Sequence, residues 1–386
     1  MSNQAGPSSM TPVLFDQATP AGRGEAHGEL WRHEIRALAD IRITLALKRG
    51  AFKDREQLLA VADLHLPELL SAAPRMHEEL LGIARGSDLS AAEIVALNHY
   101  TDLRDVPPTV LGSTVQGADE PPKDADPGGC TSLFVNGPEG PVLGQTWDMH
   151  GTAAEFVRMM RFAPEGSERE VLTFSLTGCL GMTGINERGV GVTINNLSST
   201  DGQVGLVWPA LVRRLLEQDT ADAARDLLLK ARLSSGHHYM IADVHDFHGI
   251  ETSGAIKVQT QSGQHRAHMH TNHCFDPVLR KYENVSKIST TFRRMELATA
   301  SYDRDRPETA EELWSFLSSH EGYPKSICSH VDNAEGDPSA SQTCGLVVMN
   351  LVGGRVLAVR GCPHEHGREE LEMTRWRGPT ASGGSQ

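Results

Sequence analysis

The chain has 386 residues, 39% of them hydrophobic and 22% charged, with a formal net charge of -14. That length supports one large domain or two ordinary ones with a core that needs no disulfide or metal, and the acidic balance is the opposite of a nucleic-acid-binding face or a polybasic membrane anchor. The six cysteines (Cys130, Cys179, Cys274, Cys328, Cys344 and Cys362) include no CxxC pair, which excludes a zinc ribbon or dithiol redox motif.

The N-terminus lacks a basic start followed by an apolar run, and no apolar stretch reaches transmembrane length. A cytoplasmic protein with reduced thiols is therefore expected. Residues 1–27 are rich in Pro, Gly and Ser and read as disordered. Helical spacing follows in Trp31, Ile35, Leu38, Ile41 and Leu45, then in Leu58, Leu59, Val61 and Leu64, then in Leu80, Leu81 and Ile83, where Gly86 is read as the stop. Ser90 with Glu93 forms a capping-box pattern ahead of Ile94, Val95 and Leu97. Residues 106–129 carry breaker residues throughout and form the clearest seam in the chain.

Beyond the seam the pattern turns to strands: 131–136, 141–147, 156–162, 171–176, 181–186 and 189–196. Helices are expected at about 207–218 and 219–231, strands at 237–243, 256–260 and 267–272, and helices at 289–300 and 308–319. A hairpin of 344–351 and 355–361 turns at Gly353-Gly354, and residues 376–386 read as a frayed tail. Strands and helices segregate rather than alternate, so the fold class is α+β and not doubly wound.

Chemistry concentrates at Gly128-Gly129-Cys130-Thr131-Ser132, where the seam meets the first strand. Glycines ahead of a cysteine permit backbone conformations closed to other residues. A thiol attacking the Gly129 carbonyl converts the peptide bond to a thioester, and water then frees a new N-terminus on Cys130. An α-amine titrates near 7.7–8.0, close to what a general base needs at neutral pH. One residue then serves as nucleophile and base.

With GQTWD at 144–148, this cysteine resembles the nucleophile of the isopenicillin N acyltransferase (acyl-CoA:6-aminopenicillanic acid acyltransferase) family of autoproteolytic N-terminal nucleophile cysteine hydrolases. HEELLGIARGSDLSAAEIVALNHYTDL at 77–103 resembles the family's prosegment signature. GMTGINERGVGVTINNL at 181–197, HTNHC at 270–274 and STTFRR at 289–294 resemble its later motifs in family order. The resemblance implies a four-layer αββα fold with a helical prosegment at 28–129, which stays bound as a small subunit, and a catalytic domain at 130–375. It implies a small-molecule amide or acyl thioester substrate and no cofactor.

The resemblance also implies roles. Asp148 matches the aspartate that orients the amine, and Asn272 the oxyanion-hole asparagine, with Asn195 as a second donor. Arg293 matches the arginine of a Ser-Ser-x-x-Arg motif that begins at Ser289. Thr290 replaces the second serine and Arg294 follows directly, so the register is open by one residue. Two other readings stand beside this one. His265, His268, His270 and His273, with His364 and His366, are a candidate zinc set for a metal-dependent hydrolase, but no HExxH or spaced carboxylate accompanies them and no metal is expected. The other is a binding protein that keeps the fold without the activity.

Overall fold

The computed structural model describes residues 9–112, 129–164, 169–330 and 340–379. Much of the seam, with Gly128, lies outside these residues. The segment expected to be disordered instead contains strand β1 (Val13–Phe15) and helix α1 (Pro20–Leu30). Thr19 caps α1 by accepting from the Gly22 N–H, and Pro20 opens it, where a missing N–H costs nothing.

Five helices follow: α2 (Arg32–Arg49), α3 (Arg55–Asp63), α4 (His65–Ala72), α5 (Pro74–Ser87) and α6 (Ala91–Leu103). The Ser90–Glu93 capping box forms as read. Gly86 does not end α5. It faces α1, and α5 ends at Asp88 in the left-handed region, φ 59°. Gly24 and Gly28 of α1 meet Gly82 and Gly86 of α5 so closely that a Cβ at Gly24 would lie 1.9 Å from the Glu79 carbonyl oxygen. These glycines let two backbones touch, the small-residue packing that side chains would prevent.

The strands make two sheets. One has eight strands in the order β1-β4-β5-β6-β7-β8-β9-β10: β4 (Val157–Phe162), β5 (Val171–Leu176), β6 (Thr183–Asn186), β7 (Gly191–Leu197), β8 (Gly236–Ala242), β9 (Phe247–Thr252) and β10 (Lys257–Gly263) beside β1. Within it only β1 pairs in parallel, on β4. The other has six antiparallel strands in the order β11-β2-β3-β12-β13-β14: β2 (Cys130–Gly137), β3 (Gly140–His150), β11 (Ala267–His270), β12 (Ser341–Asn350), β13 (Arg355–Arg360) and β14 (Glu369–Glu372). Strands β9 and β14 are not among those expected from the sequence.

The sheets stack face to face. Phe134 of β2 lies on Phe247 of β9 with ring centroids 4.5 Å apart. Trp147 of β3 meets Phe174 of β5 edge-on. Strand alternation sends Leu133 and Val135 to the opposite face, into a cluster with Leu297, Leu313 and Leu317 from α9 (Thr291–Arg304) and α10 (Ala310–Leu317). Helices α7 (Trp208–Leu216) and α8 (Ala221–Lys230) lie against strands β6 to β9 of the larger sheet. The layers are helix, sheet, sheet, helix, an α+β fold.

The N-terminal helices are tied into this body. Arg213 of α7 and Arg23 of α1 both pair with Glu79 of α5, at 3.0 and 3.4 Å, fully buried. His27 accepts from the Gly178 N–H at 2.8 Å. At the other end, Trp376 packs over Gly354 and the Arg377 N–H donates to the Glu187 carbonyl, so these two residues of the segment read as a frayed tail are held against the body. Among the described residues no helix is long and apolar enough to cross a membrane.

Candidate active site

Cys130 is the first residue of β2, and its Cα partner is Trp147 on β3. One step earlier Gly129 continues the ladder. Its N–H donates to the Asp148 carbonyl at 3.1 Å, and its own carbonyl accepts the Asp148 N–H at 2.6 Å. The carbonyl ahead of the cysteine is thus held by a backbone donor of the neighbouring strand. Alternation turns Cys130, Ser132 and Phe134 toward the second sheet and Thr131 toward α9.

Around Cys130 three polar side chains converge from three elements. Asn272, just after β11, accepts the Cys130 N–H on Oδ1 at 2.7 Å. Asn195, on β7 of the opposite sheet, donates Nδ2 to the Cys130 carbonyl at 3.0 Å. Arg294, in the first turn of α9, donates Nη1 to the same carbonyl at 2.7 Å and to Thr131 Oγ1 at 3.0 Å, and Nη2 to Asn272 Oδ1 at 2.8 Å. Its Nε lies 3.8 Å from Asp148 Oδ2. Asp148 Oδ1 accepts from the Thr343 hydroxyl at 2.7 Å.

The structure therefore brings Cys130, Asp148, Asn272 and Asn195 together, but it does not bring Arg293. Arg293 has a side chain 46% exposed and pairs with Glu296 one turn on, whereas Arg294 is fully buried beside Asp148. Successive helical residues point about 100° apart, so a register shift of one moves a side chain from core to solvent. Ser289 is also outside the site. Its hydroxyl accepts the Thr291 N–H at the start of α9.

Asn272 is held by its neighbours. Its N–H donates to Thr291 Oγ1 at 2.7 Å and its Nδ2 to the Asn196 carbonyl at 3.0 Å. Its side chain thus acts toward the uncleaved Cys130 as an acceptor, and its Nδ2 is engaged by the Asn196 carbonyl. Ahead of it, His270 Nε2 pairs with Glu251 at 2.8 Å, both buried. Glu251 also accepts the Phe275 and Asp276 N–H groups, which clamps the turn that carries Asn272. The candidate histidine zinc set does not assemble. His268 and His270 sit on edge strand β11, while His364 and His366 follow β13, with β2, β3 and β12 between.

Burial sets the electrostatics. The Cys130 thiol is pushed up to about 12, first by burial and then by the Asp148 charge, against Gln145 and Arg294. The Asp148 carboxyl is raised to about 6 by burial, opposed by Arg294 and Thr343. Such a thiol is protonated at neutral pH and needs a base to become a nucleophile. Gly129 is closely enclosed by side chains. A Cβ there would lie 2.0 Å from Arg294 Nη2 and 2.6 Å from Asn272 Oδ1.

A small cleft opens beside the thiol, lined by Cys130, Trp147, Met149, Ile194 and Trp208, with Arg104, His237 and Asn272 among its polar groups. Thr101 and Arg104 come from the end of α6, so the N-terminal helices form part of its wall. His237 is fixed by Asp102 at 2.9 Å.

Two stacked sheets between helices, with a buried cysteine opening β2, define an α+β protein. A family model for acyl-coenzyme A:6-aminopenicillanic acid acyl-transferase matches residues 135–337, and the chain belongs to that family. The match begins just after Cys130. The 40 kDa form of acyl-coenzyme A:6-aminopenicillanic-acid-acyltransferase from Emericella nidulans is 24% identical over 354 residues, covering 90% of this chain and 92% of that protein. Among solved structures, a mutant conjugated bile acid hydrolase from Clostridium perfringens aligns with a TM-score of 0.43 and 12% identity over 64% of this chain and 93% of its own. Penicillin V acylase from Agrobacterium tumefaciens aligns with a TM-score of 0.38 and 12% identity over 64% of this chain and 86% of its own.

Proposed function

We propose that this protein is an autoproteolytic N-terminal cysteine amidohydrolase or acyltransferase, cut between Gly129 and Cys130. The observation that carries the reading is the setting of that one peptide unit. The Gly129 carbonyl takes the Asp148 N–H, the Cys130 N–H is held by Asn272, and the Cys130 thiol is buried beside Asp148 and Arg294. Attack by the Cys130 sulfur on the Gly129 carbonyl carbon forms a C–S bond and, as the C–N bond breaks, leaves the nitrogen as an amine that takes up the thiol proton. The Asp148 N–H stabilises charge developing on the carbonyl oxygen. Water then hydrolyses the thioester and releases the Gly129 carboxylate.

The freed amine stays within reach of Asn272 Oδ1 and serves as base for its own thiol. A substrate amide or thioester acylates Cys130, its leaving group departs with a proton, and water or a bound amine takes the acyl group. Residues 1–129 remain as a small subunit, because β1, Glu79 and the α6 wall of the cleft belong to the same packed body. The family's acyl-coenzyme A donors and penicillin-type amines frame the substrate class: a small acyl group carried as a thioester or amide. Incubation with a chromogenic acyl thioester, followed by peptide mapping, tests this. The expected result is an acyl adduct on the Cys130 thiol and loss of turnover in Cys130→Ala. Turnover retained in Cys130→Ala would refute the assignment.

A further inference from the structure

We infer that His320, Cys328, His330 and Cys362 form a second site, a structural zinc centre of two thiolates and two imidazoles. The four ligand atoms lie within 4.8 Å of one another. Cys328 Sγ and Cys362 Sγ are 3.9 Å apart, and His320 Nε2 and His330 Nε2 are 3.2 Å apart. The mixed edges are 3.4 Å for Cys362 to His320 and 3.8 Å for Cys328 to His330. A tetrahedron with Zn–S of about 2.3 Å and Zn–N of about 2.0–2.1 Å has edges of about 3.8 Å between sulfurs, about 3.3 Å between nitrogens and about 3.5 Å between unlike atoms. Each of these four measured edges falls within about 0.3 Å of that figure.

The donor set suits zinc in kind as well as spacing. Two thiolates with two imidazoles are a four-ligand structural set that leaves no open position for substrate or water. On binding, the two thiols lose their protons to solvent and the cation is neutralised by two thiolates. The His364 ring lies tilted against His320, centroids 4.2 Å apart, and hydrogen-bonds to the Ser318 carbonyl, which packs the imidazole from outside.

The centre joins one stretch after α10, which carries His320, Cys328 and His330, to Cys362 just beyond the end of β13. Its position bears on the active site. Between two of the ligands, Ser329 exchanges hydrogen bonds with Thr343: its N–H donates to Thr343 Oγ1 at 2.8 Å and its carbonyl accepts the Thr343 N–H at 2.9 Å. Thr343 in turn holds Asp148. The metal thus fixes the segment behind the aspartate without touching the chemistry. The sequence expectation of no metal rested on spacing, and Cys362 joins His320, Cys328 and His330 only through the fold.

The test is metal analysis of the full-length protein purified without chelator, followed by cobalt(II) replacement. The expected result is about one zinc per chain, a tetrahedral cobalt spectrum with thiolate-to-metal charge transfer, and zinc lost from the C328S/C362S double variant. Zinc retained in that variant would move the metal elsewhere and overturn the inference. So would a Cys328–Cys362 disulfide in a non-reducing digest, or wild-type protein that takes up no zinc while both thiols react freely. Should the double variant fail to fold, the wild-type cobalt spectrum decides. An octahedral spectrum without thiolate charge transfer contradicts the site.

Discussion

Arg294 makes the site a unit, because one guanidinium holds the Cys130 carbonyl, Thr131 and Asn272 and neutralises Asp148. Arg294→Ala is expected to lower turnover strongly and to slow the proposed cleavage, because it leaves Asp148 buried without its cation. Arg293→Ala removes only a solvent-exposed pair with Glu296 and is expected to change stability by about 0.5 kcal/mol or less. Kinetics and melting of the two variants side by side check this, and the reverse pattern would contradict the assignment. The register of this arginine was not legible in the sequence. Both residues fit the motif, and only the phase of a helix starting at Thr291 separates them. Gly129→Ala should slow the proposed cleavage, since its Cβ would displace the ends of the Arg294 and Asn272 side chains. Under the proposed mechanism Asp148 sets the pH dependence. Burial raises its carboxyl to about 6, so the folded protein keeps this proton over a range where an unfolded chain has already lost it. A reaction that needs the carboxylate therefore falls as pH drops through about 6, and Asp148→Asn should remove that limb of the pH–rate profile along with most of the rate.

At the scale of elements, the fold rests on contacts between helices that composition misrepresents. The Pro- and Gly-rich start of the chain reads as disordered, yet its glycines are the surfaces on which α1 and α5 touch. Gly82→Val would place a branched side chain against the Ala21 carbonyl, where even a Cβ lies 2.3 Å away. Overpacking of this kind costs about 1–3 kcal/mol or more, and a lower melting temperature with partial loss of the N-terminal segment is the expected outcome. An unchanged melting temperature would show that α1 is not docked as described. Elements whose signals are local were legible: the Ser90–Glu93 box, the β12–β13 hairpin and the strand that Cys130 opens. Strand β9 was missed because its residues Phe247–Thr252 mix His, Gly and Glu among apolar side chains, with the ionisable Glu251 buried by a partner, His270, that no local pattern reveals. The proposed zinc ligands were hidden for the same reason. His320, Cys328 and His330 are near one another in the chain but match no familiar zinc spacing, and the fourth ligand, Cys362, is brought to them only by the end of β13.

On the scale of the whole molecule, the protein is one packed body whose two halves, under the proposed cleavage, separate covalently but not physically. Glu79 shows why. It is a buried carboxylate shared by Arg23 on the N-terminal side and Arg213 beyond the cysteine. Removing one partner of a buried pair costs about 3–5 kcal/mol, so Glu79→Ala should loosen the small chain from the large one, detectable as loss of copurification after processing. The arrangement also makes the N-terminal helices part of the cleft, through Thr101 and Arg104, so the large chain alone should not turn over substrate. Self-cleavage at Cys130 is most directly tested by intact mass of the purified wild-type protein, with N-terminal sequencing of its larger component. Two copurifying chains of roughly 14 and 28 kDa are expected, the larger beginning at Cys130, with a single uncut chain for Cys130→Ala. A full-length wild-type chain that turns over substrate would contradict the proposal, because an amide nitrogen at Cys130 has no basicity to offer the thiol.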